Sequence, residues 1–270
     1  MKTRIITAIC ALALFVPIVI IGGLPLTIAI YVLASVGLFE LFRMKRFHLF
    51  SFPVLFSFIL LWILIFPNRY IDLLHQIHIS KTGFLFFGAI LLLIYTVFSK
   101  NQFSFDDVGF ALIAIIYVGV GFYFFIEMRV LGLDKLLFAL LTIWATDSGA
   151  YFIGRAFGKK KLSAEISPNK TVEGFFGGIF SAILVGLIFH YFANFLPTYV
   201  QTVFVSVIVS IVGQMGDLVQ SAFKRHYGTK DSGTIFPGHG GVLDRFDSLI
   251  FIMPILYFFI QLISRQGVTM

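Results

Sequence analysis

The chain has 270 residues, of which 59% are hydrophobic and only 12% charged, whereas an average soluble domain carries about 25% charged residues. With 35 Phe and a mean hydropathy of +0.98, the composition excludes a soluble globular enzyme and a disordered chain, and it indicates a polytopic membrane protein. The single cysteine, Cys10, excludes an intrachain disulfide, and the net charge of +7 indicates contact with anionic lipid rather than with nucleic acid.

Apolar runs of bilayer length predict an all-α fold with about nine transmembrane helices. If the N-terminus lies inside, the inner segments hold 15 of the Lys and Arg residues and the outer segments hold 5. The positive-inside rule then predicts a cytoplasmic N-terminus and a C-terminus outside. The predicted spans are 5–22, 25–42, 49–66, 82–98, 108–128, 132–154, 174–196, 199–223 and 246–264.

The informative residues are concentrated in the second half of the chain. Seven of the 13 acidic residues lie between positions 147 and 247. We therefore predict that residues 1–130 are a helical scaffold that also offers a dimerisation surface, and that residues 131–270 are the catalytic region. The two longest and most charged inner loops, 155–173 and 224–245, are the places where function is expected.

Two acidic residues, Asp147 and Asp217, interrupt apolar runs. A carboxylate at the centre of a membrane helix costs about 2.5–3.5 kcal/mol on insertion scales, so each needs a partner or a polar cavity. A functional site is the first interpretation, and a structural ion pair is the alternative. The helix around Asp217 predicts one polar stripe, which ends at the basic pair Lys224-Arg225 and is formed by Gln214, Asp217, Gln220, Ser221 and Lys224.

The loop 224–245 combines a glycine-rich turn with two carboxylates. Three glycines and a proline lie close together at 237–241, and the exposed amides of such a turn can bind phosphate. Asp244 and Asp247 follow at the start of the last helix, three residues apart and therefore on one face. Oxygen ligands of this kind suit Mg²⁺, although the same pair would also serve as helix caps.

The loop 155–173 is basic. Lys159–Lys161 are typical of a topology signal. Lys170 lies in a Ser-Pro-Asn turn just before a helix that starts at Glu173, where a lysine is a candidate phosphate ligand. The glycines at 174–178 predict a close approach of another helix.

The segment 221–247, which we call the signature segment, is similar to the signature of the phosphatidate cytidylyltransferase family, also called CDP-diacylglycerol synthases. The stretches 144–151 and 167–171 also resemble that family. The resemblance is strong over 144–250, whereas the first 130 residues agree only in hydropathy. One position departs from the family pattern, because Gln220 stands where the family usually has Glu.

The resemblance implies transfer of CMP from CTP to phosphatidic acid, in a bacterial-type inner membrane with the active site facing the cytoplasm. It implies Mg²⁺ as the cofactor, leaves a second cation open, and suggests a homodimer. The implied metal ligands are Asp147, Asp217, Asp244 and Asp247. The implied catalytic residues are Asp217, Lys224, Arg225, Lys230, Asp244, Arg245 and Asp247, and the implied substrate-binding residues are Lys170, Ser221, His239, Gly240 and Gly241.

Two other functions remain open, the first suggested by membrane enzymes related to this family and the second by the residues. The first is a CTP-dependent enzyme acting on an isoprenoid lipid, of the polyprenol kinase or CDP-archaeol synthase type. The second is an ion-coupled transporter that uses Asp147 and Asp217 as cation sites.

Overall fold

A computed structural model describes residues 2–70, 80–238 and 240–268, and these ranges are almost wholly helical. The helices found there are α1 (Lys2–Ile21), α2 (Gly23–Met44), α3 (Phe52–Ile65), α4 (Lys81–Phe98), α5 (Phe105–Leu131), α6 (Leu133–Phe157), α7 (Val172–Ala193), α8 (Tyr199–His226) and α9 (Leu243–Val268). A single 3₁₀ turn, Asn68–Tyr70, follows α3.

The helices confirm the class of polytopic, all-α membrane protein. Seven of those described, α2 and α4 to α9, are long and apolar enough to cross a bilayer. The apolar stretch Ile9–Ile21 of α1 and the helix α3 are shorter. The count of nine spans and the sides on which the termini lie therefore stay predictions.

The loop 155–173 contains a small β-hairpin that the sequence analysis did not predict. Helix α6 continues to Phe157, and the strands β1 (Lys161–Ser163) and β2 (Ser167–Thr171) then pair antiparallel. Lys170 consequently lies on a strand and not in a turn, so that expectation was wrong. Thr171 ends the strand and caps α7, because its Oγ1 accepts a hydrogen bond from the Gly174 amide at 3.1 Å.

The chain divides into two compact units, and the signature segment contributes to both. The first unit comprises Met1–Glu127 and Ser232–Leu243, and the second comprises Met128–Asp231 and Asp244–Met270. The large buried side chains of the first unit lie on α2, α3 and α5, and they include Phe42, Leu61, Phe122 and Phe125.

The second unit depends on close contact between α6 and α7. A Cβ atom added to Gly149 would lie 2.8 Å from the Gly177 carbonyl oxygen, and one added to Gly174 would lie 2.7 Å from the Ala150 carbonyl oxygen. The helices are therefore separated by little more than their backbones, which confirms the close approach expected from the glycines at 174–178.

Candidate active site

The polar stripe predicted on α8 is present, and its members make specific contacts. Gln214 is buried, and its Nε2 donates to the Phe175 carbonyl at 3.2 Å and to Ser210 Oγ at 3.3 Å. Two turns later, Ser221 Oγ donates to Asp217 Oδ1 at 3.4 Å. The stripe thus joins α8 to α7 through Gln214 and presents the carboxylate of Asp217 one turn further along the helix.

Gln220 differs from the rest of the stripe. Its side chain is completely buried, and no partner among the described residues hydrogen-bonds to its Nε2 or its Oε1. Buried amides usually have such partners. The position where the sequence departs from the family pattern is therefore also one where a polar group lacks a protein partner in the described part of the chain.

Three aspartates from three helices of the second unit interact electrostatically. The carboxylate of Asp217 on α8 repels the carboxylates of Asp147 on α6 and of Asp247 on α9. Asp147 and Asp247 also repel each other. Helices α8 and α9 approach closely here, because a Cβ atom added to Gly216 would lie 2.8 Å from the Asp247 carbonyl oxygen. Residues 100 positions apart in the chain thus form one acidic cluster, which we define as Asp147, Asp217 and Asp247.

Two lysines bind carboxylates at the edge of this cluster. Lys170 Nζ lies 2.5 Å from Asp217 Oδ2, and both side chains are partly exposed. Lys224 Nζ donates to Asp244 Oδ1 at 2.7 Å, and this pair is more buried, with side-chain exposures of 15% and 7%. Each lysine thus pairs with one carboxylate in this part of the second unit.

The acidic cluster offers carboxylate oxygens, which are the ligands that Mg²⁺ prefers in proteins. In the arrangement described, however, no three metal-ligating side chains of the described residues lie close enough together to share one ion. Asp244 is held by Lys224. The acidic cluster thus offers carboxylate ligands, but the arrangement of the described residues does not itself assemble a metal site.

The hairpin that carries Lys170 is attached at several points. Arg225, at the exposed end of α8, donates from Nε to the Ile166 carbonyl at 3.3 Å. Glu173, in the first turn of α7, accepts hydrogen bonds from the backbone amides of Lys159 at 3.0 Å and Lys160 at 3.3 Å. Arg225, expected from the resemblance to be catalytic, thus contacts the hairpin, and Glu173, for which no role was expected, anchors it.

The glycine-rich turn of the signature segment has the expected tight geometry. Gly238 and Gly240 have φ angles of 78° and 81°, which L side chains rarely adopt. The Phe236 amide donates to the Gly240 carbonyl at 3.0 Å and closes the turn. Lys230 and Arg245 are exposed, and His239 lies outside the described residues.

The sequence analysis missed Glu40 on α2. This side chain is only 1% exposed, and it accepts hydrogen bonds from Ser232 Oγ, the Val242 amide and the Leu243 amide. A lone glutamate two residues before the end of the predicted span 25–42 gives no sequence signal, because such residues usually mark the membrane surface.

Sequence comparisons relate this chain to known proteins. The profile of the cytidylyltransferase family matches residues 2–263. The phosphatidate cytidylyltransferase of Bacillus subtilis (strain 168) is 51% identical over 267 residues, which cover 98% of this chain and 99% of that protein. The phosphatidate cytidylyltransferases of Staphylococcus haemolyticus (strain JCSC1435) and Staphylococcus aureus (strain COL) are 46% and 47% identical, over 95% of this chain and 97% of each relative.

The similarity includes the first 130 residues as well as the signature segment. Together with the helical fold and the acidic cluster, it establishes that this chain belongs to the cytidylyltransferase family.

Proposed function

We propose that this chain transfers CMP from CTP to phosphatidate and releases pyrophosphate, which yields CDP-diacylglycerol for phospholipid synthesis. The observation that carries the proposal is the 51% identity, over nearly the full length of both chains, to a phosphatidate cytidylyltransferase. The acidic cluster and its lysines supply the type of chemistry that such a reaction needs.

In this reaction an oxygen of the phosphatidate phosphate attacks the α-phosphorus of CTP. The new P–O bond forms while the bond from the α-phosphorus to the oxygen bridging to the β-phosphate breaks, and pyrophosphate leaves with that electron pair. The lipid phosphate is already ionised at neutral pH, so no general base is required. The protein must instead bring two polyanions together and stabilise the charge of the leaving group.

Asp147, Asp217 and Asp247 are proposed to hold Mg²⁺, with Asp244 nearby in its pair with Lys224. When bound, Mg²⁺ would neutralise charge on the phosphates of CTP. The acidic residues are spread over α6, α8 and α9, so packing of these helices sets the geometry of the ligands.

The basic residues are proposed to bind phosphate oxygens. Lys170 and Lys224 are now paired with carboxylates, so a phosphate group would compete with Asp217 and Asp244 for them. Arg225, Lys230 and Arg245 are exposed and offer further positive charge. The backbone amides around Gly240 and Gly241 are proposed to contact the nucleotide phosphates.

The proposed location of this chemistry is the cytoplasmic face of a bacterial cell membrane. CTP is a cytoplasmic nucleotide, and the positive-inside rule places the basic loops 155–173 and 224–245 on that side. Phosphatidate would remain in the bilayer and present only its head group.

The test is pyrophosphate release by the purified protein in detergent with CTP, Mg²⁺ and phosphatidate, each omitted in turn. We expect release only when all three are present. Release with a phosphorylated isoprenoid lipid but not with phosphatidate would reassign the acceptor. No CTP consumption by folded protein with any lipid would contradict the proposal and favour the transporter alternative.

A further inference from the structure

The segment Ser232–Leu243, which we call the glycine-rich loop, begins and ends at the same side chain. Ser232 Oγ donates to Glu40 Oε2 at 2.7 Å, at the start of the loop. At its end, the Val242 amide donates to Glu40 Oε1 at 2.8 Å and the Leu243 amide to Glu40 Oε2 at 3.0 Å. One carboxylate thus closes a loop of 12 residues.

The backbone of the loop is shaped to fit this carboxylate. A Cβ atom added to Gly233 would lie 2.5 Å from Glu40 Oε1, and one added to Gly241 would also overlap that oxygen. Glycine at both positions is therefore explained by contact with Glu40, in addition to any contact with a ligand. Because Glu40 is 1% exposed, the carboxylate is confined and cannot exchange these partners for bulk water.

Glu40 also accepts a hydrogen bond at the start of α9. Leu243 is the first residue of that helix, and Asp244 and Asp247 follow within its first two turns. A carboxylate that accepts hydrogen bonds from amides at a helix N-terminus is favoured by the helix dipole. Here the capping carboxylate comes from a different helix, α2, in the part of the chain that was expected to be only a scaffold.

We propose that Glu40 is a positioning residue for catalysis, which holds the glycine-rich loop in the conformation that binds the phosphates of CTP. This inference rests on the proposed function. Glu40 itself is not expected to touch substrate. Its removal should weaken the use of CTP, because the amides of the loop would no longer be preorganised, and it should leave the recognition of phosphatidate unchanged.

The experiment compares Glu40→Gln and Ser232→Ala, singly and together, with the wild-type protein. Glu40→Gln keeps the size of the side chain but replaces one accepting oxygen by an amide that cannot accept. We expect the KM for CTP to rise about tenfold or more, since hydrogen bonds to a charged group are among the stronger ones, while the KM for phosphatidate stays within about twofold.

Ser232→Ala should raise the KM for CTP less, and it should add little in the Glu40→Gln background, because both changes act through the same carboxylate.

The matched control is Glu127→Gln. Glu127 is also a buried glutamate that accepts from a backbone amide, that of Asn68 at 3.0 Å, but it does not contact the glycine-rich loop through any described hydrogen bond. It should leave the KM for CTP at the wild-type value.

An unchanged KM for CTP in folded Glu40→Gln, or an equal rise in Glu127→Gln, would overturn the proposal. If Glu40→Gln does not fold, Ser232→Ala decides alone, and an unchanged KM for CTP would again overturn it. Binding of CTP is measured separately on the same proteins, as the rise of the unfolding temperature when CTP is added without phosphatidate. Wild-type protein that binds CTP but releases no pyrophosphate would contradict the proposed function only, and wild-type protein that does not bind CTP would contradict both.

Discussion

The carboxylate of Asp247 lies at the start of α9 and interacts with both other members of the acidic cluster. If it helps to hold Mg²⁺, Asp247→Asn should lower kcat by roughly 100-fold or more, because charge stabilisation in such sites is a dominant contribution to the rate. The measurement is pyrophosphate release, normalised to protein that elutes as a single folded species.

The control for this change is Asp134→Asn. Asp134 is also near the start of a helix, α6, but it pairs with its neighbour Lys135 at 2.9 Å and is 41% exposed. It should keep nearly normal activity. Near-normal activity of Asp247→Asn would contradict the metal assignment.

The two lysine–aspartate pairs should differ in their contributions to stability. Lys224→Met would remove the ammonium group that binds Asp244, whose side chain is only 7% exposed. Loss of one partner of a buried pair typically costs about 3–5 kcal/mol. Lys170→Met would leave the more exposed Asp217, and exposed pairs contribute about 0–1 kcal/mol.

Thermal unfolding in detergent should therefore show a much larger decrease for Lys224→Met than for Lys170→Met. Equal decreases in the unfolding temperature would show that the exposure of the two ion pairs does not govern their contributions to stability. Activity is not the readout here, because both lysines are also expected to bind phosphate.

Sequence reasoning located the aspartates for a physical reason. Asp147 and Asp217 stand inside apolar runs, where a charge needs an explanation, and the structure brings them within electrostatic reach of Asp247. The sequence alone did not pair Lys224 with Asp244, which are 20 residues apart. Either Lys170 or Lys224 could have bound either Asp217 or Asp244. Glu40 was missed because its partners lie 192 to 203 residues away in the chain.

Helices α6 and α7 contact each other through glycines, and this contact limits what can replace them. Gly174→Ala would place a Cβ atom 2.7 Å from the Ala150 carbonyl oxygen and 3.1 Å from Gly154 Cα. Neither neighbour is a flexible side chain, so the helices must separate. Such overpacking typically costs about 1–3 kcal/mol, and it should lower the unfolding temperature.

Gly109→Ala is the matched control, since it makes the same chemical change on α5, where a Cβ atom would meet nothing within 4 Å. Alanine is favoured over glycine in a helix by roughly 1 kcal/mol, so this variant should be as stable as the wild type or more stable. If both variants behaved alike, the α6–α7 contact would not be as close as described.

Long apolar helices were predictable from the sequence, and the short strands were not. The predicted span 108–128 corresponds to α5, Phe105–Leu131, and the differences lie at the ends, where polar residues continue the helix beyond the apolar run. The hairpin was missed because strands of three and five residues are too short to show an alternating pattern. Its basic residues were interpreted as a topology signal.

The loops that flank α7 allow a test of the predicted orientation of the chain in the membrane. That helix has 22 residues and is about 33 Å long, which is enough to cross the hydrocarbon core. The exposed residue Glu165 precedes it and the exposed residue Pro197 follows it. The positive-inside rule predicts that Glu165 is cytoplasmic and that Pro197 lies outside.

Cys10 is the only cysteine, so Cys10→Ser provides a background without thiols. In that background, Glu165→Cys and Pro197→Cys should react with a membrane-impermeant thiol reagent from opposite sides. In intact cells only Pro197→Cys should be labelled, and in inside-out vesicles only Glu165→Cys. The reverse pattern would contradict both the orientation and the cytoplasmic location of the proposed chemistry.

The measurement that tests the central claim most directly is the fate of the phosphorus atoms of CTP. The protein is incubated with phosphatidate and Mg²⁺, and with CTP labelled either at the α- or at the γ-phosphorus. Transfer of CMP predicts that the α-label enters the lipid fraction and that the γ-label leaves as pyrophosphate. Lipid that carries the γ-label would instead show a CTP-dependent kinase and would contradict the account.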